Sequence, residues 1–109
     1  MATTRDAIER ALEKMEPLEV RARAMFGEYG LFLDGRFFGV MCDNTVFIKI
    51  TGRGAKIAGR IAKSEPYPGA KPFFKISEGK LADRRWLNSL IRETVSELAP
   101  QKPRARRRA

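Results

Sequence analysis

The sequence predicts an α+β fold in two layers, an antiparallel sheet of about five strands with helices on one face. Three observations predict it. Residues 25–50 are dense in Phe, Leu, Val, Ile and Tyr and are cut by two pairs of turn residues, Asp34-Gly35 and Asp43-Asn44. Segments with apolar residues at helical spacing flank that stretch on both sides. A loop rich in proline and glycine then leads to one more short segment of alternating character. The expected order is helix, three or four strands, helix, one strand, helix.

Taken in order, Thr3 stands three residues before Asp6 and can cap a first helix in which Ala7, Ile8, Ala11, Leu12 and Met15 form one stripe. Pro17 cannot continue that helix without losing a backbone donor, so it ends near Met15 or Glu16. From Val20 to Met25 charged and apolar residues alternate, as in a strand at a sheet edge. Asp34-Gly35 and Asp43-Asn44 both tolerate the positive φ that two-residue hairpin turns require.

Counting outward from those turns sorts the side chains. Strict alternation puts Gly30, Phe32, Phe37, Gly39, Met41, Val46, Ile48 and Ile50 under the helices, with Gly30 beside Gly39. Two glycines abreast leave a dip for a helix backbone or a ligand. The same count leaves Tyr29, Leu31, Leu33, Phe38, Val40, Cys42 and Phe47 on an open face.

Residues 53–63 read as a second helix, with Ile57, Ala58, Ile61 and Ala62 inward. Arg53, Lys56, Arg60 and Lys63 recur on its outward face, either as a solvated basic surface or as one that follows a phosphate backbone. Gly54 and Gly59 weaken this helix, so packing must hold it. The loop at 64–71 precedes a last strand with Phe74 and Ile76 on one face and Phe73 and Lys75 on the other. Those aromatics beside Lys71 and Lys75 are core residues or a stacking surface for single-stranded nucleic acid. Asp83 can cap a final helix with Leu87, Leu90, Ile91, Thr94 and Leu98 inward, and Trp86 seals the core edge or serves as an anchor. Residues 1–100 therefore form one domain. Residues 101–109, without an apolar anchor, are expected to be a disordered basic tail.

Composition narrows the chemistry. The chain of 109 residues has no histidine and one cysteine, which excludes Ser-His-Asp and Cys-His catalysis and leaves no plausible ligand set for zinc. No metal, cofactor or enzymatic activity is expected; Cys42 reads as a packing residue. Neither a signal segment nor a membrane span is visible, and the lone cysteine fits a reducing cytoplasm. The formal charge of +9 points to a polyanionic partner, but Lys102, Arg104, Arg106, Arg107 and Arg108 supply five of those charges.

Arg23, Met25-Phe26-Gly27, Tyr29-Gly30-Leu31-Phe32, Asp34-Gly35-Arg36 and Phe38 resemble the signature of the N-terminal domain of the TfoX/Sxy family, regulators of bacterial competence genes. The resemblance spans about residues 5–99 and is closest over 23–50 and Ser64-Glu65-Pro66. Glu28 departs from it, because the family usually has a second glycine there. Family members also carry a C-terminal helical domain, for which this chain has no room. The resemblance implies a two-layer fold of this kind and a regulatory binding role.

Two binding readings result. In the first the chain acts through protein contacts, its own dimer among them, on an open sheet face formed by Tyr29, Leu31, Phe38, Val40 and Phe47. The alternative is direct binding of nucleic acid by Arg53, Lys56, Arg60 and Lys63 with the tail residues Arg104, Arg106, Arg107 and Arg108.

Overall fold

The computed structural model of the chain describes residues 3–98. Helix α1 (Arg5–Lys14) leads into strands β1 (Arg21–Met25), β2 (Glu28–Leu33), β3 (Arg36–Cys42) and β4 (Thr45–Ile48). Helix α2 (Gly52–Ala58), strands β5 (Lys63–Ser64) and β6 (Phe73–Ile76), and helices α3 (Glu78–Ala82) and α4 (Arg84–Ser96) complete it. The strands make one antiparallel sheet of six in the order β1-β2-β3-β4-β6-β5. The fold is the expected α+β arrangement, with six strands where about five were expected. Two-residue β5 and one-turn α3 account for the differences.

Local chemistry explains most boundaries. Asp34-Gly35 has φ of 52° and 74°, and Asp43-Asn44 has 52° and 61°, the double left-handed geometry that suits the twist of a tight hairpin. Thr4, not Thr3, caps α1, its hydroxyl accepting the Ala7 N–H. Asp83 caps α4 through the Trp86 N–H, and Ser77 caps α3 through the Lys80 N–H. Trp86 fastens α4 to the end of α2 by donating its indole N–H to the Ile57 carbonyl at 3.1 Å.

The largest departure from strict alternation is a β-bulge. Leu33 pairs with Arg36 and Phe32 with Phe37, but Leu31 then pairs with Gly39, leaving Phe38 as an extra residue on β3. Beyond it Gly30 pairs with Val40 and Tyr29 with Met41. The extra residue reverses the facing of everything on one side of it. Leu31, Leu33 and Phe38 consequently lie beneath the helices with Met41, Val46 and Ile48, in one core with Met15, Leu87, Leu90 and Ile91. Phe32, Phe37 and Gly30 move to the opposite face. Gly39 is required at this point because a Cβ there would overlap the Phe47 carbonyl oxygen. The expected dip between neighbouring glycines does not form. The space over Gly30 is filled by Met25, Phe32 and Phe37 instead.

The bulge assigns energies to particular residues. Phe38→Ala should cost about 3–5 kcal/mol, as for a fully buried ring, and Phe37→Ala clearly less. Gly39→Ala should cost more than Gly30→Ala, because a backbone oxygen cannot swing aside as the Met25 and phenylalanine side chains can. Urea unfolding of the four variants measures this; a loss below about 1 kcal/mol for Phe38→Ala would contradict the placement.

Candidate functional site

The helix-free face of the sheet combines side chains that alternation alone puts there with those that the bulge turned outward. Val40, Cys42 and Phe47 form a small buried cluster at its centre, with Met25, Phe37 and Phe73 packed against them. Toward the Asp34–Gly35 end, the register sets a row across the strands. Arg21 stands beside Phe32 and Phe32 beside Phe37. The Lys49 N–H continues the ladder to the Phe38 carbonyl at 2.8 Å, and by the β4–β6 register Lys49 stands next to Phe73. The Phe32 and Phe37 rings lie 5.3 Å apart, tilted by 46°. Arg23 sits 5.6 Å over Phe32, and the Lys49 ammonium 4.7 Å over Phe37. Both are cation–π contacts.

Charge on this face is unbalanced. Among the described residues the one ion pair within 4.0 Å is Arg53–Glu93, on the helical side. Burial lowers the Lys49 pKa, and the neighbouring Lys71 charge lowers it further.

The other end of the sheet is tied to the N-terminal segment. The Thr3 hydroxyl lies 2.7 Å from Glu28 Oε1 and accepts the Asn44 N–H, while the Thr3 N–H donates to the Gly27 carbonyl. Glu28 Oε1 also accepts the Asp43 N–H at 3.1 Å. Glu28 thus joins two hairpin turns, and the positive φ of the β1–β2 turn falls on Phe26 (51°) and Gly27 (83°). Phe26 projects from that turn fully exposed.

The predicted site residues separate. Leu31 and Phe38 are buried under the helices, and Tyr29 packs against the same core from the same face, so these three are corrected to the helix side. The single bulge is the reason. Val40 and Phe47 do face away from the helices, but neighbouring side chains bury them. The basic helix face does not assemble either. Gly59, at φ 66°, terminates α2, so Arg60 lies beyond the helix and Lys63 belongs to β5. Only Arg53 and Lys56 remain on α2. Arg53 bonds to Ser96 and pairs with Glu93, and its backbone N–H is taken by the Glu97 carboxylate. Arg104, Arg106, Arg107 and Arg108 lie outside the described residues.

Sequence reasoning missed Phe26, Phe32, Phe37, Arg21 and Arg23. For Phe26 a signal existed: Phe26-Gly27 separates two strand-like runs by two residues, as Asp34-Gly35 does. Nothing local announces the bulge that exposes Phe32 and Phe37.

Cys42 is buried and free, and burial first, then the Glu28 and Asp43 charges, push its pKa up to about 11. Among the described residues no three His, Cys, Asp or Glu side chains converge on a common point that could hold a metal ion, and no helix is long and apolar enough to cross a membrane.

The family described as TfoX N-terminal domain matches residues 11–98. An uncharacterized 12.7 kDa protein in the trpE 5' region of Spirochaeta aurantia is 34% identical over 87 residues, covering 80% of this chain and 75% of that protein.

The state of Cys42 is directly measurable. At pH about 8 iodoacetamide should label the folded chain roughly 100-fold or more slowly than the urea-unfolded chain, since each unit of pKa is about tenfold in thiolate. Because the folded thiol holds its proton more tightly, its contribution to stability is complete below its ordinary pKa of 9.0 and is lost as pH rises toward about 11. Cys42→Ala should remove that part of the pH dependence, and equal labelling of folded and unfolded chains would contradict the burial.

Proposed function

Because the chain belongs to the TfoX N-terminal domain family, we propose that it is a non-enzymatic regulatory module that acts by protein–protein contact. The observation that carries this reading is Phe26. A large ring in the left-handed region costs folding free energy of about 1 kcal/mol or more, and in water it recovers nothing by burial. A residue that is costly to the fold and covers none of it is suited to a partner's pocket, where an aromatic ring is a favoured anchor. Thr3, Glu28 and Asn44 brace the turn beneath it, so the backbone that presents the ring is already held in place.

The regulated process is the one that the family resemblance implies, transcription of competence and related genes in the bacterial cytoplasm. Absence of catalysis is supported by Cys42, whose protonated, buried thiol is a poor nucleophile. The partner is another protein or a second copy of this chain. Nothing apolar of comparable exposure is offered by Val40 or Phe47, which is why the tip carries the contact in this reading.

Phe26→Asn tests it in two directions. Asn-Gly is the preferred pair for this turn, so the variant should be more stable by about 0.5–1 kcal/mol in urea or thermal unfolding. The same variant should lose the proteins that the wild-type chain captures from nuclease-treated extract and then binds when purified, or lose self-association in sedimentation. A more stable variant that keeps every partner sinks the reading.

A further inference from the structure

We propose that the row on the helix-free face carrying Phe32, Phe37 and Phe73 binds single-stranded nucleic acid. This goes beyond the Phe26 contact and does not depend on it. The row begins about 20 Å along β2 from the Phe26 tip.

The row has what an unpaired strand offers a match for. Across β1, β2, β3, the residue after β4, and β6 the order is Arg21, Phe32, Phe37, Lys49, Phe73, three flat rings set among two cations. Neighbouring strands are about 4.8 Å apart, so the row runs for roughly 20 Å, enough for several nucleotides. Each ring is only partly buried, and Arg23 and Lys49 now lie over Phe32 and Phe37. Their long side chains can swing from the rings to phosphates while bases take their places on the rings. That exchange replaces two cation–π pairs with stacking and charge pairing.

Charge supplies an independent argument. The Lys71 charge acts on Lys49, and among the described residues neither pairs with a carboxylate within 4.0 Å. A phosphate between them would relieve that repulsion. Beside Phe32, Arg21 and Arg23 line a groove of about 470 Å³ that is also bordered by Glu19 and Asp34. Those two carboxylates would disfavour a phosphate but can accept from the amino groups of a base. An unpaired strand fits better than a duplex, whose bases are stacked on one another and cannot lie on the rings. An acidic peptide would satisfy the lysines and leave the rings unused.

The test is fluorescence anisotropy with the full chain, at about 150 mM salt, using an oligothymidylate and an oligouridylate of about 15 nucleotides and a duplex of the same length. The expected result is preference for the single strands and at least a roughly tenfold loss of affinity in Phe37→Leu/Phe73→Leu, which keeps apolar bulk and removes the rings. Lys49→Gln/Lys71→Gln should flatten the slope of the salt dependence by about 0.7 for each phosphate that is no longer neutralised. Arg106→Gln/Arg107→Gln/Arg108→Gln should weaken binding without changing the preference for single strands. Equal affinity for duplex, equal competition by polyglutamate, or a loss confined to the tail variant overturns the proposal. Should the double phenylalanine variant not fold, photo-cross-linking of 5-iodouracil oligonucleotide to the wild-type chain decides. Adducts on β2, β3 or β6 support the row, and adducts restricted to residues 101–109 refute it. Phe26→Asn should bind the oligonucleotides as wild type does, which separates this outcome from that of the protein contact.

Discussion

The close approach of Gly39 to the Phe47 carbonyl is the constraint on which the rest of this structure depends. At that point β3 carries one residue more than β2, and the extra residue lets Phe38 and Gly39 face the same side. Leu31, Leu33 and Phe38 from one side of the bulge can then join Met41, Val46 and Ile48 from the other in a single core against α4. Without it, strict alternation would divide those six between opposite faces and strand half of the apolar surface in water. The bulge gathers the core on one side, and by the same reversal it puts Phe32 and Phe37 beside Arg23 and Lys49 on the other.

The two ends of the sheet do different work. At one end Thr3 and Glu28 bind the Phe26–Gly27 turn to the Asp43–Asn44 turn, and the buried Cys42 lies next to the same carboxylates. This end is tied by hydrogen bonds, and it presents one ring in an unfavourable backbone conformation. At the other end rings lie beside cations that have no acid paired to them within 4.0 Å among the described residues. A partner recognised by shape suits the first, and a flexible polyanion with flat groups suits the second. The two surfaces are compatible because they do not share a residue.

Where α2 meets the end of α4, charges are met locally. Glu93 and Glu97 of the α4 end meet Arg53 at the start of α2, and Arg36 donates to the Val95 carbonyl at 3.0 Å near the end of the same helix. Gly54 allows α2 to lie close against Thr94 and Leu90, which explains a glycine in so short a helix.

Where information is local, residue identity was enough to set the outcome. Asp34-Gly35 and Asp43-Asn44 specified their hairpins because few residue pairs accept two positive φ values; Pro17 and Asp83 marked helix boundaries by a missing donor and a capping oxygen; Leu87, Leu90, Ile91 and Thr94 gave the inward stripe of α4 through spacing alone. The facing of β2 and β3 was not legible, because both alternating sets there are apolar and neither identifies itself as the interior. Gly59 likewise is consistent with a weak helix interior or a helix end, and only the pairing of Lys63 and Ser64 with β6 made it an end. Those choices were decided by tertiary structure, since a bulge and a helix stop are selected by how well distant segments pack together, and that energy is absent from any short window of the chain.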